Sequence, residues 1–156
     1  MKDKNAIGGN FKFSYLKVFT SLERLIDDEH VYRRVFDESE CGYLYAESCL
    51  YNKLFDELDW TCTVRFVCTR LSDNHVVCDL SKEQEIPKTL NTVLINKGWG
   101  NAMLGSFWKL GSYRWDVYID GEFLKSAYFF IVNQGVVNAN SNPYIKINDF
   151  KLYESD

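Results

Sequence analysis

The run Tyr113-Arg114-Trp115-Asp116-Val117-Tyr118-Ile119, followed by Asp120-Gly121 and a return from Glu122 to Val132, constrains this chain more than any other segment. A strand points successive side chains to opposite faces, so strict alternation predicts a half-buried strand. An Asp-Gly pair between two such runs predicts a two-residue hairpin, because both central turn residues need positive φ. Tyr113, Trp115, Val117 and Ile119 are expected to face a core, with Arg114, Asp116 and Tyr118 facing out.

Further strands are expected at residues 11–20, 31–36, 43–50, 60–70, 75–80 and 89–95. Within 60–70, Cys62, Val64, Phe66 and Cys68 share the inward parity. Asp73-Asn74 is a turn signal. Residues 52–59 are charged and expected to cross between sheets; residues 81–88 are mostly polar and expected to be a loop; Gly98-Trp99-Gly100 through Gly105 is expected to be irregular. Residues 21–30 fit a short helical turn or a loop equally. About eight strands without a long amphipathic helix predict an all-β fold, an antiparallel two-sheet β-sandwich. A closed barrel is the alternative, but the phase switches suit two sheets better.

The two ends of the chain match. Lys12, Lys17 and Ser21 align at one offset with Lys146, Lys151 and Ser155. Apolar residues align at Phe11/Ile145, Phe13/Ile147, Leu16/Phe150, Val18/Leu152 and Phe19/Tyr153, while Tyr15/Asp149 is a mismatch. In both copies the apolar phase breaks at the same point, as a bulge or a change of sheet would require. Two unrelated amphipathic edge strands would share the alternation but not the break. The reading that follows is a linker at residues 1–10, a domain at 11–137, and a second linker with the first strand of a following repeat at 138–156. Ile145, Ile147, Phe150 and Leu152 are then the expected interface, adding to their own sheet or docking on a neighbouring copy.

Composition bounds the function classes. A chain of 156 residues has room for one core, and 16% aromatic residues favour strands. The net charge of −4 argues against a nucleic-acid groove, and no apolar run approaches transmembrane length. The five cysteines, at irregular spacing, do not form a disulfide framework pattern, and the N-terminus lacks a signal-peptide core. A reducing cytoplasm is the expected location. No Cys-x-x-Cys pair occurs and the two histidines, His30 and His75, are isolated, so no metal and no cofactor are expected.

The stretch Phe107-Trp108-Lys109-Leu110-Gly111-Ser112-Tyr113-Arg114 through Gly121-Glu122-Phe123, closed by Phe129-Phe130-Ile131, resembles the closing hairpin of immunoglobulin-like bacterial modules. Together with Asn142-Pro143-Tyr144-Ile145 to Glu154, it resembles the tandem β-sandwich repeats of large uncharacterised Bacteroidetes proteins, some of which carry a CbxX/CfqX-type AAA+ module. The resemblance covers residues 98–155 and more weakly 11–70. It implies a sandwich hairpin and a tandem arrangement. The chain has no Gly-x-x-x-x-Gly-Lys-Ser/Thr loop, so ATPase activity does not carry over.

Chemistry is sparse. His75 and Cys78 differ in strand parity, which sets them on opposite faces. Glu47, Asp56 and Glu57 could supply a carboxylate pair, but a solvated surface explains each. Trp99, Trp108 and Tyr118 are the candidate ligand-binding residues, an aromatic platform for a carbohydrate or a protein; burial of such rings in the core and at its ends is the competing account. The expected function is a non-catalytic interaction or spacer module of a multidomain protein. Its partner would be protein, either a neighbouring repeat or another chain, with homo-oligomerisation through the C-terminal strand as one route. A carbohydrate- or small-ligand-binding sandwich is the alternative, and a hydrolase the third reading.

Overall fold

A computed structural model describes residues 9–21 and 30–133. The segments 22–29 and 134–156, and with them Ile145, Ile147, Phe150 and Leu152, lie outside the described residues.

Among the described residues eight strands form two sheets: β1 (Phe11–Ser21), β2 (Val35–Asp37), β3 (Tyr43–Asn52), β4 (Trp60–Arg70), β5 (His75–Ile86), β6 (Thr92–Gly100), β7 (Gly111–Ile119) and β8 (Glu122–Val132). The small sheet has the order β1-β3-β6 and the large sheet β2-β8-β7-β4-β5. All pairs are antiparallel except β2 with β8. The expected two-sheet antiparallel sandwich is the observed architecture.

The hairpin predicted at Asp120-Gly121 joins β7 to β8. Asp120 has φ 49° and Gly121 φ 87°, the left-handed pair such a turn demands. Its tip is tied to β4: Asp120 N–H donates to the Thr63 carbonyl and Thr63 N–H to Asp120 Oδ1, both at 2.9 Å. Tyr113, Trp115, Val117 and Ile119 are buried, as are Cys62, Val64, Phe66 and Cys68. They meet Leu16, Val18, Leu44, Leu50 and Ile95 of the small sheet in one core. The phase break in β1 is a register shift between Phe13 and Tyr15 opposite β3, which turns the apolar set inward on both sides of the bulge.

The crossing between sheets occupies residues 53–59 and hangs on buried Asn52. Its amide donates to the Leu90 carbonyl at 2.8 Å, and its carbonyl accepts from Leu54 N–H at 3.0 Å and Trp60 Nε1–H at 2.9 Å. Those bonds join the two loops at this end of the sandwich.

Four local expectations are corrected. Residues 81–86 are strand, not loop, because β5 pairs with β4 through backbone from Arg70↔His75 to Trp60↔Ile86. The large sheet is wider than the small one, so this edge overhangs and keeps polar side chains. Gly98 and Gly100 are in β6, opposite Tyr45 and Tyr43. The Tyr45 ring lies on Gly98, where a Cβ would come within 2.5 Å of it. The strand expected at 31–36 is only Val35–Asp37, parallel to β8. Asp116, expected to face solvent, is buried and accepts from Ser126 Oγ at 2.5 Å and Arg114 Nε at 3.1 Å.

Candidate functional site

Trp99, Trp108 and Tyr118 occupy three different environments. Trp108 is fully buried against Tyr113 and Phe129, with ring centroids 5.2 and 5.7 Å away, and presents no face to solvent. Its Nε1–H donates to the Trp99 carbonyl at 3.3 Å. Tyr118 stands on the outer face of the large sheet between the Phe123 ring and the Arg65 guanidinium. Trp99 is 37% exposed on β6 and borders a cavity of about 510 Å³ lined also by Tyr43, Tyr45, Leu80, Asn96 and Lys97. Neither Trp108 nor Tyr118 lines that cavity.

The outer face of the small sheet holds a cluster that sequence reasoning missed. Register places Tyr15, Lys17 and Phe19 of β1 beside Cys49, Glu47 and Tyr45 of β3. Glu47, read from sequence as solvated, is fully buried. Its carboxyl group accepts from Tyr15 Oη at 2.7 Å and Tyr32 Oη at 2.5 Å, and lies 3.1 Å from His30 Nδ1. Burial and the Glu47 hydrogen bond push the Tyr15 phenol far above its ordinary range, and the Tyr32 phenol upward for the same reasons. Beside this polar group the His30, Phe19 and Tyr45 rings stack, at 4.0 Å and 5.1 Å between centroids. The signal in the sequence was an acid at a strand-centre position among Tyr, Ala, Ser and Cys. Its donors arrive from β1 and from residues 30–32, so only tertiary structure could supply them.

Lys17 Nζ lies over the Tyr15 and Tyr32 rings, 4.5 and 5.2 Å from their centroids. Here begins a groove of about 420 Å³ between β1, residues 32–34 and β8. Its cations are Lys17, Arg33, Arg34 and Lys125, and among the described residues no carboxylate lines it. Arg33 makes a two-pronged bond to Glu40 at 2.8 and 3.2 Å. That contact, with Asp37 capping the turn Glu38–Glu40, fixes the chain where it passes from the small sheet to β2.

The five cysteines are buried free thiols. Burial pushes the Cys41, Cys62 and Cys78 thiols up to about 12, which removes the thiolate that nucleophilic chemistry needs. Among the described residues, no three His, Cys, Asp or Glu side chains come together as a metal site requires.

The topology has a known form. Order β1-β3-β6 against β8-β7-β4-β5 is the A-B-E and G-F-C-C′ arrangement, and β2 is the short strand that switches sheets to lie beside the last one. Near the start of β7, Tyr113 Oη donates to the Lys109 carbonyl at 2.9 Å, the tyrosine corner of such sandwiches. The fold is an immunoglobulin-like β-sandwich. A Pseudomonas fluorescens alkylpurine DNA glycosylase, AlkC, bound to DNA containing an abasic site analog, is similar to it with a TM-score of 0.50 and 15% identity over 79% of this chain and 30% of that one. An immunoglobulin-like protein from Pseudomonas aeruginosa matches with a TM-score of 0.41 and 13% identity, over 78% of this chain and 90% of that one. A Paenibacillus cycloisomaltooligosaccharide glucanotransferase matches with a TM-score of 0.47 and 16% identity, over 78% of this chain and 14% of that one. The chain spans less than a third of the two enzymes it resembles, and at these identities the likeness is one of fold. No protein-family model matches the sequence. No curated protein matches it either.

Proposed function

We propose that this immunoglobulin-like unit is a non-catalytic spacer and interaction module of a multidomain protein, of the kind repeated in tandem. One observation carries the reading: β1 starts and β8 ends at opposite ends of the sandwich. Phe11 pairs with Asn52, whose strand leads through the crossing to the start of β4, whereas Ile131 pairs with Gly111 at the end where β4 finishes. Flanking segments would therefore leave in line, separated by the length of a strand, about 35 Å for eleven residues. Donor and acceptor dyes on unnatural amino acids at Asn10 and Asn133 test this. Energy transfer giving roughly 35 Å is expected. A separation of less than about half that would overturn the in-line arrangement.

The second reading, a carbohydrate- or small-ligand-binding sandwich, is favoured by the cavity at Trp99. It combines an exposed indole with the Tyr43 and Tyr45 rings, and the buried Asn96 Oδ1 has no hydrogen-bond partner. Titration with neutral oligosaccharides should shift tryptophan emission in the native chain and not in Trp99→Phe. Silence in both would remove this reading.

A further inference from the structure

The five free thiols are spread over the sandwich, and strand register sets two of them face to face. Cys68 of β4 lies directly opposite Cys78 of β5. Cys62 lies opposite Gln84 in the same ladder, and Cys49 sits between Tyr15 and Leu94 in the small sheet. Cys41 follows the turn Glu38–Glu40 and belongs to no strand. Residues directly opposite in an antiparallel pair have Cα atoms about 4.5 or 5.5 Å apart. A disulfide spans Cα separations of about 4.4–6.8 Å, so either kind of pair is within its reach. Opposite residues also share a face of the sheet. Here that face is the core, where Cys68 and Cys78 are both buried.

The surroundings single out this pair further. Thr69 is opposite Val76, so Val77 is the extra residue of a bulge beside Cys78. Strand β5 ends the large sheet and pairs with β4 alone. A covalent link here would tie that end strand to its one neighbour at the irregular point of their ladder. Each cysteine also acts on the other. Burial first, and Cys78 next, push the Cys68 thiol well above its ordinary value. Burial raises the Cys78 thiol to about 12, and the Cys68 backbone works against that rise. The irregular spacing of cysteines in the sequence hid this pair, because the turn and the bulge together decide which residues meet.

We propose that Cys68 and Cys78 form an oxidative modification site, closing into a cross-strand disulfide under oxidising conditions and remaining thiols under reducing ones. Burial shields both sulfurs in the folded chain, so the state is set while the chain folds. Cys78, as thiolate, attacks one sulfur of a low-molecular-weight disulfide. Its proton passes to water, the S–S bond of the reagent breaks, and half of the reagent leaves as a thiolate. Cys68, deprotonated in turn, attacks the Cys78 sulfur of the mixed disulfide and expels the other half. Two cysteine thiols are oxidised and one reagent disulfide is reduced to two thiols. The inference goes beyond the spacer reading and does not depend on it.

The test is refolding of the full chain from urea in a mixture of oxidised and reduced glutathione. Alkylation with iodoacetamide and mass mapping follow. Cleavage after Arg70 places Cys68 and Cys78 in different tryptic peptides, so a link between them is read directly. Two of the five thiols should be lost, joined as Cys68–Cys78. The folded, reduced chain kept in the same buffer should retain all its thiols. The linked chain should unfold at a higher urea concentration than the same sample after reduction, because the link restricts the unfolded state. Absence of a link after oxidative refolding, or a link to any other cysteine, overturns the inference. So does a linked chain that unfolds no later than the reduced one. Oxidation of the folded chain as fast as the refolding one would overturn the step that sets the state during folding.

Discussion

The outer faces of the two sheets are opposites. On the large sheet, Arg65 and Asp79 pair at 2.8 Å in open solvent, and the alternation of β4 from Trp60 to Phe66 reads directly as core and surface. On the small sheet, Tyr45, Glu47 and Cys49 are as buried as the core residues Leu44, Ala46 and Leu50 beside them. Segment 30–34 passes over that face and supplies His30 and Tyr32 to Glu47. A polar position thus faces solvent at Arg65 and Asp79 and sits in an enclosed hydrogen-bond network at Glu47. The side chains look alike in sequence; what covers them differs.

The largest effect should come from breaking the enclosed network. Glu47→Ala strands two phenols without their acceptor and removes the carboxyl group beside His30 Nδ1, and should cost about 3 kcal/mol in urea denaturation. If the cost were no greater than that of an exposed pair, the contrast between the faces would collapse. Gly98→Ala comes next. Its Cβ would meet the Tyr45 ring at 2.5 Å, and that ring stacks on Phe19, so the ring must move; about 2 kcal/mol is expected. Asp116→Ala removes the one buried carboxyl of the β7 outer face, with its bonds to Ser126 and Arg114, and should cost about 1 kcal/mol. Asp79→Ala, by contrast, should leave the denaturation midpoint unchanged within error.

A last experiment varies pH. Cys41, Cys62 and Cys78 have thiols raised by burial to about 12, against about 9 for an exposed thiol. The folded state holds these protons more tightly than the unfolded chain does. Their contribution is complete below pH ~9 and is lost progressively as pH rises toward 12. Denaturation midpoints should fall across that window, and a thiol reagent at pH 8 should react only after unfolding. A flat profile would mean that the thiols are less enclosed than the packing shows.

How much could be read in advance follows the same division. The β7–β8 hairpin was legible because alternation and an Asp-Gly turn are local: φ at two residues and side-chain parity decide them. The bulge in β1 was legible for the same reason, since a phase break must be absorbed within the strand. Strand β5 was not legible beyond Leu80. Its extension is held by backbone pairing to β4, and backbone bonds leave no mark on side-chain pattern. The Glu47 cluster was not legible either, because Tyr15, His30 and Tyr32 come from other parts of the chain. Of the three aromatic candidates, Trp99 borders a cavity, Trp108 packs inside and Tyr118 faces out on the large sheet, a sorting set by which strand pairs with which.

The sequence by itself determined the β7–β8 hairpin, its turn and the inward faces of β4 and β7, because alternation and turn chemistry act over a few residues. Tertiary structure decided which polar residue is enclosed and which of the aromatic candidates is buried. Those outcomes depend on contacts between segments far apart in sequence, and on the unequal widths of the two sheets, which only the assembled sandwich contains.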